Sequence, residues 1–225
     1  MLQNNLVLVR HGQSLWNQKN LFTGWANVGL SSKGIEEAKE VGLLLKSKQI
    51  SFDQAFTSAL LRAISTLEYI LEKLNLNIPI LKSWQLNEKH YGDLQGKNKK
   101  LTIEKYGKEQ VQKWRRGFDA QPPLLSSPQD LQPAELYQDL NHAPKGENLE
   151  QTQKRVLSFW KQSIFPKIQE EQRVLIVAHG NSLRALMKYL ENISDTEISS
   201  VEIKTGQAIL YSINSQEKIL KKEIC

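Results

Sequence analysis

The 225-residue sequence predicts an α/β fold. Expected is a three-layer α/β/α arrangement with a mostly parallel sheet, helices on both faces, and a mainly helical and loop insertion over the carboxyl ends of the strands. Two observations lead there. Strand-like apolar runs alternate with helix-period stretches, the pattern of a parallel sheet with crossover helices. Two of the runs, Leu6-Val7-Leu8-Val9-Arg10-His11-Gly12 and Val174-Leu175-Ile176-Val177-Ala178-His179-Gly180, are continuous, β-branched and uncharged until their last residues. Such runs suit strands buried on both faces. Ligands of open α/β sheets lie outside the carboxyl ends of the strands. If these two strands are neighbours, two imidazoles and an arginine converge at one ligand site.

The elements follow in order. Residues 5–10 are the first strand. Ser31 or Ser32 can cap a helix running to about Lys48, with Ile35, Ala38, Val41, Gly42 and Leu45 inward. Ala55-Phe56-Thr57 is a short strand. The next helix carries Leu60, Ile64, Leu67, Leu71 and Leu74 on one stripe. Ile78-Pro79-Ile80-Leu81 is a further strand candidate, with its proline near the start. Residues 98–117 read as helical with a break near Gly107. Gln151 to Ile168 is helical, stopped or kinked near Pro166. Residues 173–178 form the second histidine-bearing strand. Asn181 or Ser182 then caps a helix with Leu183, Leu186, Met187 and Leu190 inward. Residues 207–213 and 218–224 alternate as a closing hairpin. Residues 119–147 hold five of the seven prolines. So long an excursion reads as a lid or an irregular segment over the strand ends. The chain reads as a single domain over 1–225 with an insertion at about 84–147.

Composition narrows the classes. Hydrophobic and charged fractions of 40% and 24% are ordinary for a soluble globular chain. A single cysteine, Cys225, allows neither an intrachain disulfide nor a zinc ribbon and fits a reducing cytosol. No apolar run reaches membrane-spanning length, and the start shows no basic leader pattern. The net charge of +6 and pI of about 9.2 suit anionic ligands. Lys97, Lys99, Lys100 and Lys105 cluster without interleaved aromatics, unlike a base-stacking platform. No zinc finger, P-loop or dinucleotide fingerprint is present.

The candidate chemistry is phosphoryl transfer. A neutral imidazole can attack phosphorus, while cationic and N–H donors stabilise the charge on the three transferring oxygens. Arg10, Arg62 and His179 are candidate donors. Arg62 falls at the start of a helix, where a cation opposes the macrodipole unless an anion compensates it. Proton transfer to a leaving oxygen asks for a carboxyl group. Glu88, in the polar and aromatic loop Leu86-Asn87-Glu88-Lys89-His90-Tyr91-Gly92, is the candidate. Burial beside an anion favours a protonated carboxyl, which suits a general acid. Arg115 and Arg116 offer two more anion forks. Read singly, each of these residues also fits an ordinary role: a strand-end histidine, a surface arginine, a solvated glutamate.

Together the motifs resemble the cofactor-dependent phosphoglycerate mutases of the histidine phosphatase superfamily, over about residues 5–213. The resemblance rests on Arg10-His11-Gly12-Gln13-Ser14 with Trp16-Asn17, on Phe22-Thr23-Gly24-Trp25, and on Thr57-Ser58 through Arg62-Ala63. It continues through Leu86 to Gly96, Asn98-Lys99, Trp114 to Asp119, and Ala178-His179-Gly180-Asn181-Ser182-Leu183-Arg184-Ala185. The middle motifs point to the mutase branch. The resemblance implies glycolytic and gluconeogenic interconversion of 3-phosphoglycerate and 2-phosphoglycerate. His11 would carry the phosphoryl group and Glu88 would give and take the proton. Arg10, Arg62, His179 and the amide of Gly180 would hold the phosphoryl group. Gly12, Gln13, Ser14, Leu15, Trp16, Asn17, Thr23, Gly24, Lys89, His90, Tyr91, Lys99, Arg115, Arg116 and Asn181 would shape the substrate pocket. It further implies 2,3-bisphosphoglycerate as primer and intermediate, no metal, and small phosphoglycerates as the partners. A cytoplasmic homodimer is expected, with neither nucleic acid nor membrane bound.

The chain departs from the family in three places. Lys89 replaces a usual arginine, the proline-rich insertion looks slightly shortened, and the chain stops at Cys225 without the longer tail of many relatives. Two other readings stand beside the mutase: a phosphomonoesterase using His11 and Glu88, with water as the final acceptor, and a basic phosphate- or nucleic-acid-binding module without catalysis.

Overall fold

The computed structural model describes residues 4–127, 137, 140 and 142–225. Its centre is a six-stranded sheet built from β1 (Leu6–Arg10), β2 (Gln54–Thr57), β3 (Ile80–Lys82), β4 (Val174–Ala178), β5 (Ala208–Ile213) and β6 (Ile219–Ile224). The strand order is β3-β2-β4-β1-β5-β6. The β1–β4, β2–β4 and β2–β3 pairings are parallel, while β5 runs antiparallel to β1 and to β6. The two histidine-bearing runs are therefore adjacent, in a register that sets Arg10 opposite Ala178.

Strand alternation divides the core. Leu6, Leu8, Val174, Ile176 and Ala178 pack on one face, Val7, Val9, Leu175 and Val177 on the other. The first face is covered by α6 (Leu149–Phe159), a π turn (Trp160–Ile164), α7 (Phe165–Gln169) and α8 (Gly180–Leu190). The second is covered by α2 (Ser32–Ser47) and α3 (Leu61–Leu74). Leu6 to Val9 and Val174 to Ala178 are all inaccessible to solvent. Each such aliphatic side chain contributes roughly 1.5–3 kcal/mol relative to exposure. That makes the pairing of these two strands the rigid base of the molecule.

Several local expectations sharpen. Ser31 caps α2 by accepting from the Gly34 amide. Gly107 separates α4 (Lys99–Tyr106) from α5 (Lys108–Arg116), at φ 82. The helix expected from Gln151 to Ile168 starts two residues earlier and widens into the π turn before Pro166. A proline has no amide to give the preceding turn, so the wider turn accommodates it. The buried face of α3 comprises Arg62, Ala63, Thr66, Leu67, Ile70 and Leu71, not a stripe through Ile64 and Leu74. Two polar residues claim that face because they serve the strand ends: Thr66 Oγ1 accepts from the Gly12 amide at 3.1 Å. The cap of α8 is His179, one turn start earlier than Asn181 or Ser182. Ser182 reaches back and accepts from the His179 amide at 3.1 Å.

Between β3 and α6 the chain leaves the sheet. It runs through 3₁₀ turns at Trp84–Leu86 and Gly92–Leu94, then α4 and α5, with no helix or strand over residues 117–127. Part of the proline-rich stretch, 128–136, 138–139 and 141, lies outside the described residues.

The loop leaving β1 is clamped on the first turn of α2. A Cβ at Gly12 would lie 2.1 Å from the Gly34 carbonyl oxygen, and a Cβ at Gly34 2.0 Å from that of Gln13. Backbone meets backbone here, so nothing can swing aside. Gly34→Ala, at least 20 residues from His11 in sequence, is expected to lower stability by about 1–3 kcal/mol as an overpacked site. The measurement is the urea midpoint at unchanged m value, and an unshifted midpoint would show that the contact yields.

Candidate active site

A cleft opens beyond the carboxyl ends of β1 and β4, the position expected for this sheet type. Arg10 and His11 leave β1, Gly180 and Asn181 begin α8, and Arg62 lies in the first turn of α3. Asn17, from α1 (Leu15–Gln18), joins Thr23 and Gly24 on one wall. Glu88 and Tyr91 come from the loop after β3, Lys99 from α4, and Arg115 and Arg116 from the end of α5. The segment after β3 therefore supplies the roof, as the insertion was expected to do.

His11 is buried, and its ring centroid lies 4.9 Å from that of His179. Its Nδ1 is 2.7 Å from the Gly12 carbonyl oxygen. A carbonyl can only accept, so Nδ1 carries the hydrogen and Nε2 keeps the lone pair. Burial, then Arg62, then Arg10 hold the His11 imidazole well below its usual pKa, against a smaller opposing effect of the Gly12 bond. His179 is likewise neutral, through burial followed by Arg62, His11 and Arg10. Its Nε2 lies 2.7 Å from Ser58 Oγ.

The cations are fixed by backbone carbonyls. Arg62 Nη1 and Nη2 donate to Ala26 and Gly24 at 2.9 and 2.8 Å. Arg10 Nη1 donates to Ile203 at 2.6 Å. Burial lowers the Arg62 pKa to about 10, and burial followed by Arg115 and Arg10 lowers that of Lys99 to about 8. Arg10 Nε, Arg62 Nε, Thr23 Oγ1 and His179 Nδ1 are buried without a hydrogen-bond partner among the described residues. Buried donors ordinarily find acceptors. A set of them around one cleft fits an oxyanion.

Glu88, largely buried, is the one carboxylate on the wall among the described residues. Its Oε1 accepts from the amides of Lys89 and Asn181 at 2.8 and 3.0 Å. Asn181 Nδ2 donates to the Tyr91 hydroxyl at 3.0 Å. The amino end of α8 thus presents its amides and positive dipole end to the cleft.

The remaining expected residues stand behind this wall. The Gln13 amide donates to Glu37, and Gln13 Oε1 accepts from Ser31. Ser14 caps α1, Leu15 is exposed, and Trp16 lies beside Gly96. His90 packs on Trp25. Lys89 is fully buried, donates to the Trp114 carbonyl at 2.6 Å, and is lowered to about 7 by burial, with Arg184 adding to the effect. Four residues that sequence reasoning did not single out complete the support: Ser58 at His179, Thr66 at Gly12, Arg184 at Asn181, and Arg155 behind Glu88. Arg155 and Arg184 each interrupt the apolar face of a helix, α6 and α8. A charge on a buried stripe is the signal that marks them.

A profile of the histidine phosphatase superfamily (branch 1) matches residues 6–223. The chain belongs to this superfamily. A 2,3-bisphosphoglycerate-dependent phosphoglycerate mutase 2 of Lactiplantibacillus plantarum is 52% identical, over 97% of each chain. A 2,3-bisphosphoglycerate-dependent phosphoglycerate mutase of Neisseria meningitidis is 51% identical over 96% of this chain and 98% of that one. Among solved structures, Bacillus stearothermophilus YhfR superposes with a TM-score of 0.73 at 25% identity, over 95% of this chain and 93% of that one. A putative alpha-ribazole-5'-P phosphatase of Escherichia coli superposes with a TM-score of 0.70 at 23% identity, covering 98% and 93%. At that identity the second likeness speaks for the fold alone.

The buried neutral histidines have a consequence for stability. In the unfolded chain each binds a proton near pH 6.5, while in the folded chain binding is pushed lower. Between the two values the unfolded state holds more protons, so stability rises with pH through that window and is lost as pH falls below about 6.5. Urea midpoints taken downward from pH 7.5 should fall below pH 6.5, and His179→Asn should flatten part of that slope. An unchanged slope would place the acid sensitivity on carboxylates.

Proposed function

We propose that this chain interconverts 3-phosphoglycerate and 2-phosphoglycerate through a phosphorylated His11. The observation that carries the reading is electrostatic. Around one neutral imidazole with a free Nε2 stand five cationic side chains (Arg10, Arg62, Lys99, Arg115 and Arg116), of which Arg116 is also paired with Glu202 at 2.8 Å, against one lining carboxylate among the described residues, Glu88. Such an excess fits a substrate with two anionic ends. Arg10, Arg62, His179 and the Gly180 amide receive the phosphoryl end, and Tyr91, Lys99, Arg115 and Arg116 receive the other. The mutase names of near-full-length relatives at about half identity support the same substrates.

In this reading His11 Nε2 attacks phosphorus while Gly12 holds the Nδ1 proton. The bond from phosphorus to the donor oxygen breaks, and that oxygen takes a proton from Glu88. In the second half the acceptor hydroxyl gives its proton back to Glu88 as its oxygen attacks the phosphorus on His11, and the bond from phosphorus to Nε2 breaks, returning the lone pair to Nε2. Arg10 and Arg62, already fixed on carbonyls, meet the transferring oxygens without reorganising. The unpartnered Nε atoms of both arginines suit the phosphates of 2,3-bisphosphoglycerate, which supplies, when bound, the phosphoryl group that charges His11.

A coupled assay on 3-phosphoglycerate, with and without added 2,3-bisphosphoglycerate, tests the function. Turnover to 2-phosphoglycerate that depends on the bisphosphate is expected, with an acid-labile, base-stable label at His11 that is absent from His11→Ala. Inorganic phosphate released without 2-phosphoglycerate would establish the phosphomonoesterase instead.

Glu88→Gln keeps the shape of the wall but cannot carry the proton. Turnover is expected to fall by about 10²–10⁴-fold, with binding of phosphoglycerate, read by isothermal calorimetry, largely kept. Near-normal turnover would move the proton transfer to another group.

A further inference from the structure

Arg155 belongs to α6, which contributes no residue to the cleft lining among the described residues, yet it is almost wholly buried. All five of its N–H donors are engaged. Nη1 donates to the carbonyls of Gln85 and Asn87 at 2.8 and 2.9 Å, and Nη2 donates to the carbonyl of Glu88 at 2.9 Å. Nε and Nη2 donate to Glu147 at 2.7 and 2.9 Å. Glu147 in turn accepts from the His90 amide at 2.8 Å, and its own amide donates to the His90 carbonyl at 2.8 Å. The pair therefore grips the backbone on both sides of Glu88. Trp25 adds a third hold, donating from Nε1 to the Glu88 carbonyl at 2.6 Å, with the Arg155 guanidinium 5.6 Å from its ring centre.

The neighbours of Arg155 on this helix face are Thr152, Val156 and Phe159. An aliphatic side chain would fill the same place against the core. Replacing buried ion pairs by apolar residues is often neutral or stabilising, so packing alone gives no reason for a guanidinium here. Its donors do: three go to carbonyls of the four-residue stretch that ends in Glu88. Only a planar fork reaches all of them; a lysine has three donors on one atom.

We infer that Arg155, held by Glu147, is a positioning residue that sets where the Glu88 carboxyl stands relative to the reacting oxygen. The inference rests on the proton-transfer role proposed for Glu88. Arg155 touches neither substrate nor phosphoryl group. It acts through the Glu88 backbone, and proton transfer is sensitive to small errors of placement.

The test is a double-mutant cycle on the full chain, with kcat and KM for 3-phosphoglycerate at saturating 2,3-bisphosphoglycerate. Arg155→Lys and Glu147→Gln should each lower kcat by about tenfold or more and move KM by less than about threefold, the mark of an interaction realised in the chemical step. In the Glu88→Gln background the same changes should alter the residual kcat by less than about twofold, because a residue acting through Glu88 has nothing left to position. Equal losses in both backgrounds, or an unchanged kcat in the first, would overturn the inference. Glu88→Gln alone decides the underlying reading: normal turnover there defeats the proton-transfer role itself, whatever Arg155 does. Near-ultraviolet circular dichroism and inorganic phosphate binding report folding, and Glu147→Gln, which keeps size and an acceptor for the His90 amide, serves if Arg155→Lys does not fold. Should neither fold, the pair is a structural requirement and the inference falls.

Discussion

The parallel pairing of β1 with β4 is the constraint on which the site depends. Five consecutive ladder pairs, ending at Arg10 and Ala178, bring His11 and His179 out side by side. The His11 amide still donates to the Ala178 carbonyl at 3.0 Å, so the ladder reaches His11 itself. A slip of one residue would send every side chain to the opposite face. It would bury Arg10 in a core and turn Val9 into the cleft. The cost of burying the Arg10 charge in an apolar core opposes that slip, and so the packing of the sheet and the geometry of the site are linked.

Once the imidazoles are side by side, the cations determine their state. Arg10 and Arg62 both push the two histidines toward neutrality, after burial has done most of it. The same guanidinium groups that would meet a phosphoryl group thus help keep His11 Nε2 unprotonated before it arrives. The arrangement has an opposing side. Arg10, Arg62 and Lys99 are themselves held below their ordinary values, by burial first; neighbouring cations add to this, while Glu88 opposes it at all three and outweighs the nearest cation at Arg10 and Arg62. An anion in the cleft relieves that mutual repulsion, so ligand affinity and electrostatic strain come from the same charges.

Much of this was legible in the chain. The two His-Gly strands, the closing hairpin, the break at Gly107 and the α2 cap follow from period and turn chemistry, because each is decided by neighbours in sequence. The α8 cap, expected at Asn181 or Ser182, falls two or three residues earlier at His179, since Ser182 caps from inside the helix rather than from before it. The α3 stripe was misplaced since Arg62 and Thr66 are buried for the sake of groups far away in sequence, at Gly24, Ala26 and Gly12. The cleft residues on motif positions were found together. Their supports were not, because Ser58, Arg155 and Arg184 show their purpose only when distant backbone is brought against them.

Lys89 illustrates the point from the other side. From sequence it is a substrate-pocket residue in which a point charge replaces a fork. In the fold its ammonium lies behind the wall, on the carbonyl of Trp114, while Arg184 takes the carbonyl of Arg116. These are two of the four carbonyls that the end of α5 leaves without helical partners. Cations are favoured at that end of a helix dipole. Together they pin the last turn of α5, and with it the backbone that carries Arg115 and Arg116 into the cleft. One carbonyl asks for one donor. A lysine supplies it, but burial holds Lys89 down to about 7, so near neutrality the hydrogen bond is kept while only part of the charge at that helix end remains.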